Sequence, residues 1–336
     1  MIVRPLKSRR LLVALSLAAA TACSARATSA PDAVAPIPHA ITADRIGSTI
    51  PYWESSFAYG GTTYSLRIVG TDPTLGGAVT TIPNEIVPVT LVFSDGTRLD
   101  ARQDADSLPA SPLYVAAPFT SGDTQFGDAM QRFELWTYIN GETYDVLLAA
   151  PVVASNVVVQ VPSDKGSTWA GPDGSVHGTA DFDWFINTLE PQLISQLGIS
   201  ASTLTVFVTH NLTLQRGTAI YSGFHSDFNV GTSTYTTAWA STTPTFVWIM
   251  AHEIAEWLND PFNDNAVPRW VNPVTSGCGS ARMEVVDPVT KYSFKSGTYR
   301  LPDMAALSWF RRDVPSIALN GLYDYLGDVT GPAGVC

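Results

Sequence analysis

The chain has 336 residues, 45% of them hydrophobic and 15% charged, with 30 acidic against 19 basic side chains. This composition excludes a disordered chain, and the length allows two ordinary domains with a sizeable core. The net charge of −11 repels phosphate backbones and excludes nucleic acid as a natural partner.

Arg4, Lys7, Arg9 and Arg10 open the chain, followed by LLVALSLAAATA, an apolar run of 12 residues. The run is short for a membrane span. With the small residues behind it, it reads as an export signal over residues 1–30. Two cleavage readings stand side by side. Ala20-Thr21-Ala22-Cys23 is a lipobox-like run that would leave a lipid anchor on Cys23, making the chain a lipoprotein of the cell envelope. Cleavage after Ala27 or Ala30 would leave a freely secreted chain. The signal segment holds no acidic residue, so the remainder carries 14 basic against 30 acidic side chains. Export into an oxidising compartment also predicts that Cys278 and Cys336 form a disulfide.

Residues 31–50, with Pro31, Pro36 and Pro38, read as a linker. Over 51–165 the pattern predicts an all-β, sandwich-like module. Its expected strands are TTYSLRIVG, IVPVTLVF, RFELWTYI, YDVLLAA and NVVVQV, rich in β-branched and aromatic residues. Asp95-Gly96, Asn140-Gly141 and Asp164-Lys165-Gly166 supply turns between them. From 166 to 336 the texture becomes α+β. DFDWFINTLEPQLISQLG has Phe182, Phe185, Ile186, Leu189, Leu193, Ile194 and Leu197 near helical spacing, with Gly198 as a stop. LTVFVTH is a strand. The Thr-rich TSTYTTAWAS, at about 232–241, is expected as an exposed edge strand, and a second helix follows it.

That second helix carries the chemistry. Thr243-Pro244 predicts its start and Pro261 its end. Between them TFVWIMAHEIAEWLND is apolar on all sides, as a buried helix is. His252, Glu253 and Glu256 are its only ionisable residues from 244 to 259. A carboxylate buried without a partner is prohibitively costly, and nothing basic on the helix offers one. A bound cation resolves the conflict. His252 and Glu256 are four residues apart and share one face, so an imidazole nitrogen and a carboxylate oxygen can grip one ion. Glu253 lies beside them, placed to take a proton from water that zinc would acidify to a pKa of roughly 7.

The run HEIAE resembles the zincin metallopeptidase signature HExxH, in which two His bind zinc and the Glu is the general base. Glu256 stands where the second His would be. The added negative charge lowers the Lewis acidity of the metal and widens the choice of ion. The resemblance implies a zincin-like α+β domain built on a buried metal-site helix, with His252 and Glu256 as ligands and Glu253 as general base. In gluzincin-type relatives the third ligand is a Glu some tens of residues downstream. That points to Glu284 in GCGSARMEVVDP, with Asp287 as its hydrogen-bonding partner or an alternative ligand. The stretch from the helix through NDPFND to MEVVDP is also similar, over about 40 residues, to exported bacterial proteins with HExxE…DP followed by E(V/I)xD. More distantly it is similar to the plant EXORDIUM (phosphate-induced) proteins, which lend it no activity.

His225, in SGFHSD, is expected to line the cleft as an oxyanion-stabilising or substrate-binding group. These residues together predict a secreted zinc-dependent hydrolase, a metallopeptidase acting on a peptide or protein substrate. The alternative is a non-catalytic exported cell-surface or matrix protein whose calcium or zinc staples the fold. A carbohydrate-active protein is a third option on the strength of nine Trp, though no carboxylate pair can be placed for it.

Overall fold

Tyr52–Tyr59 (β1) and Thr62–Val69 (β2) pair as an antiparallel hairpin around Gly60-Gly61. Both glycines have left-handed φ, +57° and +80°, which a side chain would resist. A computed structural model describes residues 48–172, 174–242 and 246–336. The export segment with Cys23, almost all of the 31–50 linker and the Thr243-Pro244 cap lie outside the described residues.

Ala78–Ile82 (β3) and Asn84–Val92 (β4) follow, then a helix, Phe126–Glu134 (α1). The stretch read above as the strand RFELWTYI therefore begins inside α1 and continues as the short helix Trp136–Ile139. Its aromatic residues favour strands in isolation. Helical spacing wins because Phe126, Ala129, Met130 and Phe133 then form one buried face. The first half is thus not all-β. Tyr144–Leu148 (β5) runs parallel to β3, and Val157–Gln160 (β6) runs parallel to β4.

Gly166–Ala170 (β7) and Val176–Asp181 (β8) lead into the expected helical run. It spans Phe182–Trp184, a wider π-turn at Phe185–Leu189, and Glu190–Leu197 (together α2). Gly198 ends it with φ +67°, as its position predicted. Leu204–His210 (β9), Leu212–Arg216 (β10), Gly223–Val230 (β11) and Ser233–Thr242 (β12) come next, then Phe246–Asn259 (α3), the motif helix.

The largest sheet runs β6-β4-β9-β12-β11, with two short strands, Arg98–Leu99 and Val152–Val153, attached to β4. β4, β9 and β12 are mutually parallel, and β11 closes the end antiparallel to β12. Two expectations change here. The strands of 51–165 are not closed among themselves, since β4 pairs with β9 across residue 165 and Asn84 Nδ2 donates to the Leu204 carbonyl at 3.0 Å. The Thr-rich strand β12 is internal, and β11 is the edge. The reason is burial. β4 and β9 are apolar on both faces, and such strands need cover on both sides and neighbours on both edges.

The pleat sorts the sheet into two cores. Ile86, Val206, Val208, Ala238 and Ala240 face one core, together with Ile249, Met250, Ile254 and Leu258 of α3. Val87, Val89, Phe207 and Trp239 face the other, together with Phe185, Leu189 and Leu193 of α2. Each large side chain fully buried this way contributes roughly 1.5–3 kcal/mol. Ala238 and Ala240 leave room for α3 to lie close on the sheet. The fold class is mixed α+β, and among the described residues no helix is long and apolar enough to cross a membrane. Cys278 and Cys336 are joined as expected, with Cα atoms 5.9 Å apart.

Candidate metal centre

Three segments converge at α3. The helix contributes His252, Glu253 and Glu256; β11 contributes His225; the loop after the helix contributes Glu284 and Asp287. Alternation along β11 aims His225. Phe224, Ser226 and Phe228 turn toward the α2 side, where Ser226 Oγ bonds Glu190 at 3.1 Å and the two aromatics pack in the second core. Gly223 and His225 turn toward α3. A Cβ on Gly223 would lie 2.4 Å from Glu253 Oε1 and 2.7 Å from Ile249 Cγ2, so Gly223 makes room for the glutamate.

The downstream loop is pinned by its backbone. Met283 N–H donates to the Asn265 carbonyl at 3.0 Å, and Ala305 N–H to the Val285 carbonyl at 2.8 Å. Met283, Val285 and Val286 are buried, which leaves Glu284 half-buried and the Asp287 side chain 52% exposed. Asp260, at the end of α3, accepts from Asp264 N–H (2.9 Å) and Asn265 N–H (3.0 Å), fixing the turn between helix and loop. The neighbouring Asn263 amide reaches the His225 carbonyl at 3.5 Å.

Glu256 sits at the centre. Its Oε1 lies 3.0 Å from His252 Nε2 and accepts from Val286 N–H at 3.3 Å. Its Oε2 lies 3.8 Å from His225 Nδ1. Glu253 Oε2 is likewise 3.8 Å from His225 Nδ1, and Asp287 Oδ1 is 3.6 Å from His252 Nε2. Trp248, one turn before His252, meets its ring edge-on at 5.6 Å. His225, Glu253 and Glu256 are buried, and no Lys or Arg pairs with any of these acids among the described residues.

Charge balance follows from that enclosure. Burial disfavours the His225 imidazolium, but Glu253, Glu284 and Glu256 outweigh it and push His225 up to about 9. His252 is also raised well above its ordinary value, because Glu256 and Glu253 overcome its burial. Burial pushes Glu253 up, and pushes Glu284 up strongly with the Glu256 charge added. Burial acts on Glu256 too, yet the charge and hydrogen bond of His252, with His225 and the Val286 N–H, bring it below the ordinary carboxylate value. The carboxylates thus shift both imidazoles toward their charged forms. His225 Nε2 is buried with no hydrogen-bond partner, a nitrogen free to ligate. These imidazole and carboxylate groups lie close enough together to hold a metal ion.

All six residues singled out in the sequence thus come together. Neighbouring tyrosines and the remaining described histidines lie elsewhere. Tyr221 packs on Phe182 and Phe224, and Tyr235 stacks on Phe228, both in the second core. His210 bonds Asp104 and Thr242, and His177 bonds Ser175 and stacks on Trp169. Sequence reading missed the part played by Gly223; the signal available was a glycine two residues before a histidine in a strand. No family model, no curated protein and no solved structure matches this chain.

Proposed function

We propose that the protein is an exported metal-dependent hydrolase, a peptidase, in which His252 and Glu256 hold zinc with Glu284 and Asp287 drawn from the loop. The observation that supports this reading most is Glu253. It is buried beside the ligand cluster, 3.8 Å from His225, with no Lys or Arg paired to it among the described residues. Bound zinc would supply Lewis acidity, polarising a substrate carbonyl and making water acidic near pH 7.

The chain's own residues do the rest. Burial raises Glu253 above the ordinary carboxylate value, the direction a general base requires. His225, held protonated by its acidic neighbours, offers a charge for a developing oxyanion. β11 is the last strand of its sheet, and an extended peptide could add along it, close to Glu253. The signal segment and the acidic surface suit an exported chain.

The test is metal content beside hydrolysis of casein and a peptide library. Wild type should bind zinc and cleave; Glu253→Gln should bind zinc and not cleave. Zinc binding with no cleavage by either protein would leave the second reading, a non-catalytic exported protein with a structural cation. That reading draws on the carboxylate-rich donors Glu256, Glu284 and Asp287, which suit a hard ion such as calcium.

A further inference from the structure

The donors do not gather around one point. His225, Glu256 and Glu284 place one ligand atom each within 4.8 Å of one another, and so do His252, Glu256 and Asp287. No group within that span contains both imidazoles among the described residues. Glu256 belongs to both groups, and its two oxygens divide between them. Oε1 faces His252 at 3.0 Å, and Oε2 faces His225 at 3.8 Å.

We propose that this is a two-cation centre bridged by Glu256, with an inner ion on His225 and Glu284 and an outer ion on His252 and Asp287. The proposal rests on the metal-site reading above, changes its stoichiometry, and makes His225 a neutral ligand in place of a charged oxyanion donor. A carboxylate using one oxygen per ion is the usual bridge of paired sites, whose ions lie about 3.5–4 Å apart. Charge supports the pair. Glu253, Glu256, Glu284 and Asp287 are four carboxyl groups with no Lys or Arg paired to them among the described residues, and ionised together, as ligands and base of a loaded site, they carry four negative charges. One divalent ion neutralises half of that charge and two neutralise all of it, with both imidazoles then neutral as ligands.

The two positions differ in access. His225 and Glu256 are buried, and the His225 side chain is 3% exposed. Asp287 is 52% exposed and His252 12%. The inner ion is therefore enclosed and slow to exchange, while the outer ion faces solvent and substrate. A bridged pair also answers the substitution of Glu for the second His in the helix motif. A glutamate in that position can bind two ions, and an imidazole cannot without losing its proton.

The test uses purified protein, stripped and reloaded with Zn(II) or Mn(II) alone. Bound metal is counted for wild type, His225→Ala, Asp287→Ala and Glu256→Gln, with circular dichroism confirming the fold of each. One equivalent should disappear with His225→Ala, a different and faster-exchanging one with Asp287→Ala, and both with Glu256→Gln. Counting the equivalents lost excludes ions held elsewhere, such as by Asp303, Asp324 and Asp328, which also gather three carboxylates. Wild type loaded with Mn(II) should show the electron paramagnetic resonance spectrum of an exchange-coupled pair, a readout that needs no variant to fold. Loss of the same single equivalent in all three variants, or only isolated Mn(II) signals, overturns the pair and leaves a one-metal site. Absence of any equivalent sensitive to these residues overturns the metal reading itself.

Discussion

Replacing Gly223 by Ala tests the packing of the site directly. The added methyl would stand 2.4 Å from Glu253 Oε1, 2.7 Å from Ile249 Cγ2 and 3.0 Å from the Glu253 carboxyl carbon. Gly223 does not adopt left-handed φ, so backbone preference gives no reason to keep glycine there. The cost must come from contact. Glu253 can swing its tip, but Ile249 is stiff about χ1 and lies in a packed core. Overpacking of this kind costs about 1–3 kcal/mol, which for a chain of this size lowers Tm by roughly 2–6 °C. Thermal unfolding and peptide cleavage are measured together. Cleavage should fall toward that of Glu253→Gln while bound metal is kept, because His252 and Glu256 are untouched. The Gly223→Ala cost should shrink by at least about 0.5 kcal/mol when Glu253 is already Ala. Costs that simply add would refute the proposed contact. Gly331→Ala, where a Cβ meets nothing within 4 Å, serves as the neutral control.

Stability should depend on pH through two acids outside the site. Glu134 accepts from the Leu307 N–H, and Glu190 accepts from Ser226 and Thr237; burial pushes each up to about 8 from 4.5. The unfolded chain releases these protons above 4.5 while the folded chain keeps them. Denaturant stability should therefore be greatest on the acid side and fall as pH rises from 4.5 toward 8, by up to about 1.4 kcal/mol per pH unit for each group. Glu134→Gln and Glu190→Gln should each flatten that slope. Asp260→Ala orphans two amides and should cost about 2–4 kcal/mol in chemical denaturation, whereas Asp260→Asn keeps an acceptor and should cost less. Reducing the Cys278–Cys336 bond frees a loop of sequence separation 58, and the loss of stability should approach about 4 kcal/mol.

The motif helix was legible in the sequence because it states a contradiction: three ionisable residues in a run that must be buried. His225 was singled out in the sequence as a cleft residue; the structure buries it beside Glu256, and its sharing of Glu256 with His252 left no sequence signal. The strand carrying it is placed by pairing with β12, and pairing leaves no local trace. The same limit hid the match of β4 to β9, where Asn84 and Leu204 stand 120 residues apart. Helix α1 was hidden for a different reason, since Phe126 and Phe133 favour strands until their helical face finds a core. Threonine in β12 suggested exposure, but Thr237 is buried and bonded to Glu190. Hydroxyls satisfied internally look in sequence like hydroxyls meant for water.

The crossing of β4 into the sheet of β9 bears on how such a protein could be matured. A protease cutting the turn at 163–166 would break the chain but not the ladder that joins Asn84–Pro88 to Leu204–Val208. Arg67 N–H would still bond the Asn265 side chain at 2.8 Å, tying the first hairpin to the turn beyond α3. Residues 51–165 therefore cannot act as a detachable inhibitory leader. Pulling them away would bare the flank of β9, an apolar parallel strand with unpaired amides that would seek another chain. A nick there should pass unnoticed in the native protein and show itself as two fragments only under denaturing conditions.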